Sequence, residues 1–139
     1  MRLKQALAVL AATTVAQASV LLVVFGGIAA ANPSSEAIHP WKILLFSGGC
    51  GLVSAVVLIL PPFLLLAAKR RLTLGTALLV GVAEAILLTV IDIVLSPGFI
   101  GLVLALGMAL PTLLWGLVGG VAAWLAWQAL EQPVKLRTP

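Results

Sequence analysis

Of 139 residues, one is cysteine, one is histidine and four are acidic. A lone Cys50 excludes an intrachain disulfide, and with His39 as the single imidazole no Cys/His set stands at metal-ligand spacing. No Ser-His-Asp arrangement and no phosphate-cradling glycine loop is present, so neither an enzyme, a cofactor nor a metal is expected. Charge of either sign is scarce: 9% of the residues, against about 25% in a soluble domain. Apolar residues make up 63%, which excludes a water-soluble globule.

What is present is hydrophobic length. Charge-free runs cover 5–35, 43–68 and 93–130, each longer than the roughly 20 apolar residues that cross a bilayer core. Turn chemistry divides them into four spans, at about 5–31, 41–68, 73–95 and 99–130. The breaks are Asn32-Pro33-Ser34-Ser35-Glu36 through His39-Pro40, the basic Lys69-Arg70-Arg71, and Ser96-Pro97-Gly98. The expected architecture is an all-α integral membrane protein, a single domain over 1–139 forming a four-transmembrane-helix bundle.

The eight cations sit at span ends, where they meet lipid headgroups, and no basic face interleaved with aromatics follows them. Nucleic acid is therefore not an expected partner. With both termini cytoplasmic, the inner flanks hold seven lysines and arginines (Arg2, Lys4, Lys69, Arg70, Arg71, Lys135, Arg137) against Lys42 outside. That asymmetry predicts an N-in, C-in protein, by default in a bacterial inner membrane. Trp41 at the outer surface and Trp124 with Trp127 at the inner one fit the aromatic belts. The basic start and the small-x-small stretch Ala16-Gln17-Ala18 have the form of a cleaved leader. Apolar residues run on through Ala31, which favours a retained membrane helix.

Glu84 lies at the centre of the third span, where a carboxylate costs about 2.5 to 3.5 kcal/mol on insertion scales. It is expected either to be protonated or to face water or a partner carrying the opposite charge. Asp92 follows about 12 Å along the axis and about 80° around the helix, on a broad face shared with Ala77, Gly81 and Leu88. By depth, Gln17, Ser54 and Thr112 are the polar residues of the other three spans at the level of Glu84. These five residues are the candidate site, either as a buried polar layer that fixes the bundle or as a place for a proton or polar substrate. Near the outer surface, Glu36, His39, Lys42 and Asp92 are expected to pair among headgroups rather than to hold a metal.

Small residues recur every four positions: Ser47, Gly51 and Ala55; Ala77, Gly81 and Ala85; Gly101, Ala105 and Ala109; then Gly116 and Gly120. Such stripes let helix backbones approach closely, within the bundle or against another subunit. Pro61, Pro62 and Pro111 remove backbone donors and predict bends in the second and fourth spans.

Two functions suit this pattern. The first is a non-enzymatic accessory or assembly subunit that works by helix association with another membrane subunit or with itself, docking through Gly116, Gly120, Ser47, Gly51 and Gly81. The second is a homo-oligomeric, proton-coupled transporter or channel for a small molecule or lipid, with Glu84 as the titrating group.

Overall fold

The computed structural model describes residues 3–32 and 39–131 and is helical almost throughout. Four helices are long and apolar enough to cross a membrane: α1 (Leu3–Ala31), α2 (Pro40–Ala68), α3 (Leu74–Leu95) and α4 (Phe99–Glu131). Their ends fall within two residues of the spans expected from the sequence. Arg2, Glu36, Lys135 and Arg137 lie outside the described residues.

The turns follow from local chemistry. Pro40 occupies the first turn of α2, where its missing N–H is not needed. Thr73 and Thr76 form a reciprocal cap that starts α3 after the basic turn. Gly98 takes φ 110° between α3 and α4, a left-handed conformation that a side chain would strain.

Of its three parts, α2 has a π-helical turn, Ala55–Ile59, between α-helical segments Pro40–Ser54 and Leu60–Ala68. The Leu60 N–H reaches back five residues to the Ala55 carbonyl. Pro61 and Pro62 explain it: neither ring offers an N–H, and each crowds the carbonyl four residues earlier, so the preceding turn widens. The wide turn also preserves a packing face. Ser47, Gly51, Ala55, Ile59 and Phe63 are all buried, although an α-helix at about 100° per residue would rotate such a stripe by about 160° over that length. One extra residue in the turn removes about 100° of the drift. By contrast, Pro111 interrupts no element, and α4 runs unbroken from Phe99 to Glu131.

The most extensive packing joins α3 to α4, then α4 to α1, then α1 to α2. The backbone of the first part of α2, Pro40–Ser54, lies against α1, helped by an edge-to-face contact of Phe25 with Phe46. From Ala55 onward α2 also meets α3 and α4. The bundle is thus closed around Val9, Ile59, Phe63, Ala77, Ala123 and Trp127, in the half that carries the Lys69–Arg71 turn. In the other half α2 stands away from α3. Large side chains such as Leu79, Leu104 and Leu110 point outward, as lipid-facing positions do.

Two of the seams are made by glycine. A Cβ on Gly81 would run into the Gly116 backbone, and one on Gly116 into Gly81; a Cβ on Gly120 would lie 2.5 Å from the Ala77 carbonyl oxygen. On the other side, a Cβ on Gly51 would lie 2.9 Å from the Thr14 carbonyl oxygen, and Ser47 is fully buried one turn away. The docking residues read from the sequence are therefore occupied within the chain. Gly81, Gly116 and Gly120 join α3 to α4, and Gly51 joins α2 to α1.

Candidate functional site

Glu84 sits at the eleventh of the 22 residues of α3 and is 2% exposed. It is buried because α3 turns its small residues, Ala77, Gly81 and Ala85, toward α4 and so draws the carboxyl into the bundle. Three other helices supply donors to it. From α1, the Gln17 amide Nε2 donates to Oε1 at 2.8 Å and to Oε2 at 3.0 Å. From α4, the Trp115 indole Nε1 donates to Oε1 at 3.0 Å. From α2, the Ser54 hydroxyl donates to Oε1, and lies 3.5 Å from the same indole nitrogen.

One carboxyl group thus ties together all four helices. Its oxygens are unequally loaded: Oε1 receives three donors and Oε2 one. Hydrogen bonds in an apolar interior are electrostatically stronger than in water. Among the described residues no cation completes the group. The described lysines, arginines and histidine (Lys4, His39, Lys42, Lys69, Arg70 and Arg71) are all exposed near helix ends.

Not every polar group in this layer is satisfied. Gln17 is fully buried, yet its Oε1 has no hydrogen-bond partner, and neither has the Thr13 hydroxyl one turn away on the same face of α1. A buried unpaired acceptor in such a node calls for a reason. The Gln17 amide lies flat on Gly119, whose Cβ, if it had one, would stand 2.5 Å from Nε2. Gly119 therefore serves as the seat of the amide.

The candidate residues separate accordingly. Glu84, Gln17 and Ser54 meet, as their common depth suggested. Thr112 does not join them, because its hydroxyl turns back to the Met108 carbonyl of its own helix at 2.7 Å. Trp115, one turn further along, takes its place, since the indole reaches farther than a hydroxyl. Asp92 is exposed, because the first part of α2 does not extend over that end of α3. The shared acidic face therefore ends at Leu88, and the two carboxyls have different surroundings.

Trp115 and Gly119 were missed from the sequence. The signal for Trp115 was an indole at mid-span, away from both surfaces where tryptophan usually lies. Of the tryptophans assigned to the belts, Trp41 is exposed beside Lys42, whose Nζ stands 5.7 Å from its ring centre. Trp127 is instead part of the core, with its N–H donated to Glu131 at 2.7 Å. Neither protein-family models, curated proteins nor solved structures give a match to this chain.

Proposed function

We propose that this chain is a small, non-enzymatic membrane transporter in which Glu84 takes up and releases a proton. The observation that carries the reading is the node itself: a carboxyl 2% exposed, held by donors from three helices, and met by no lysine, arginine or histidine among the described residues. A charge at that depth is expensive, and structures that need only rigidity have cheaper ways to obtain it.

The orphaned Gln17 Oε1 supports the same reading. With Glu84 ionised, Nε2 donates to both of its oxygens. With Glu84 protonated, half a turn of the amide brings Oε1 round to accept the carboxylic O–H. Both protonation states thereby find a hydrogen-bonding arrangement with the same residues in place. The asymmetric bundle, closed in one half and parted between α2 and α3 in the other, suits a site whose access changes sides, and the π turn of α2 lies where such a bend belongs. The orientation is taken as N-in and C-in, and the membrane as a bacterial inner membrane, from the distribution of lysine and arginine. Four helices enclose little volume, so the working unit is a homo-oligomer.

Carboxyl infrared spectroscopy in nanodiscs tests this directly. The expected result is a C=O band that grows and fades reversibly with pH and is missing from Glu84→Gln. A Glu84 band that never changes across the accessible pH range would defeat the reading. In proteoliposomes, proton movement linked to substrate should vanish with the same substitution.

The accessory-subunit reading retains one specific support. Cβ atoms on Gly26, Gly27, Gly48 and Gly49 would have nothing within 4 Å, so α1 and α2 present small residues that none of the described residues packs against there. A stoichiometric partner recovered in mild detergent, and lost with Gly27→Leu or Gly48→Leu, would favour it.

A further inference from the structure

We infer that the groove between α2 and α3 is a binding site for hydrophobic amines, which place their ammonium group on Glu84. The inference rests on the reading of Glu84 as an ionisable site and names the substrate class of that site.

The groove has a volume of about 370 Å³ and opens sideways from the bundle. Leu58, Pro62 and Leu66 of α2 form one wall, Leu79, Val80 and Leu87 of α3 the other, and Glu84 is its one charged lining residue. It extends from Leu66 and Thr76, beside the Lys69–Arg71 turn, past Glu84 to Leu58 and Leu87, about 16 Å at about 1.5 Å per residue. In a membrane this opening faces lipid tails, so a ligand enters from the bilayer.

Walls and floor together select the ligand. An inorganic cation would lose its water against leucine and proline and gain few ligands in return. An anion would be repelled by the carboxylate. A neutral hydrocarbon would fit the walls but leave the charge of Glu84 without an opposite. An ammonium with an apolar body satisfies both surfaces at once.

The node also has an acceptor site left for a further donor. Oε1 already receives Ser54, Gln17 and Trp115, whereas Oε2 receives Gln17 alone, so Oε2 keeps a lone pair for an N–H of the ligand. The groups that face Glu84 are Gln17 from α1, Ser54 from α2 and Trp115 from α4, none of which titrates near neutral pH. Ammonium and proton therefore compete for the same carboxyl. The basic turn at one end of the groove repels a cation approaching from that surface, which leaves the lateral route.

Three adamantane derivatives with one apolar cage test the inference: the 1-amine, the 1-alcohol and the 1-carboxylate. Binding to nanodisc-reconstituted protein is read by calorimetry against empty nanodiscs, with carboxyl infrared spectra recorded on the same samples. The expected result is saturable binding of the amine, at least tenfold tighter than that of the alcohol or carboxylate, and at least tenfold weaker in Glu84→Gln. Ala83→Phe and Leu79→Trp, at exposed lining positions, should fill the groove and weaken amine binding at least tenfold while the Glu84 band remains. Equal binding of amine and alcohol to the native protein would overturn the inference, even if no variant folds. So would amine binding undiminished by Glu84→Gln or by both groove-filling changes. A Glu84 band that titrates without amine binding defeats the ligand assignment and leaves the proton site standing. Amine binding with a band that never titrates does the reverse.

Discussion

The side-chain amide of Gln17 on α1 bridges both carboxylate oxygens of Glu84 on α3, at 2.8 and 3.0 Å, across 67 residues of sequence. Each group is buried. Gln17→Leu removes both donors and leaves the carboxylate with Ser54 and Trp115. Destabilisation of about 1 to 2 kcal/mol is expected, at the upper end for polar contacts between membrane helices. Thermal unfolding in detergent measures it, and an unchanged midpoint would show that the bridge contributes nothing.

Trp115→Phe separates the indole's hydrogen bond from its bulk. The ring still fills the site while one of the three donors on Oε1 is lost. A loss of about 1 kcal/mol in stability is expected, together with a shift of the Glu84 carboxylate stretch in the infrared. A spectrum identical to that of the native protein would mean the indole does not donate to this group.

The glycine seams make a graded prediction. Gly81→Ala and Gly116→Ala each push a methyl group into opposing backbone, which has no flexible end to yield. Overpacking of this kind costs about 1 to 3 kcal/mol. Gly107→Ala, where nothing lies within 4 Å, should instead be neutral or stabilise by up to about 1 kcal/mol, as alanine favours the helix. If all three behaved alike, α3 and α4 would not be in the contact described.

Deleting one residue offers a test of the π turn. Val57 is exposed and lies inside it, so its loss converts the turn to α-helix and keeps both flanks in phase. Leu106 is equally exposed but belongs to the regular part of α4; its loss rotates Gly101 and Ala105 by about 100° away from α3. The Val57 deletion should keep its melting temperature within about 4 °C of the native value, whereas the Leu106 deletion should fail to fold. Comparable damage from both would remove the case for an inserted residue.

The spans and the central pair Gln17 and Ser54 were legible from the sequence because hydropathy sets length and length sets depth. Rotation was not. Thr112 and Trp115 lie one turn apart, and the choice between them depends on side-chain reach, since the short hydroxyl closes on a backbone carbonyl of its own helix while the indole N–H reaches across to α3. Asp92 shows a second limit: a helical wheel places it near Glu84 in angle but cannot tell where the neighbouring helix stops covering the face. Pro61 and Pro62 announced a distortion of α2 without saying that it would be a widened turn rather than a bend.

The order of the two glycine seams has a consequence for biosynthesis. The contact of α1 with α2 and that of α3 with α4 each join neighbours in the chain, so each hairpin can close as soon as its second helix enters the bilayer. Gln17 and Ser54 are made first and wait in the lipid without their acceptor. Glu84 arrives with α3, and Trp115 only with the last helix. The bonds of Gln17 and Ser54 to Glu84 can form only once α3 is made, and a nascent chain halted before α4 would carry a membrane-embedded carboxyl without its Trp115 donor.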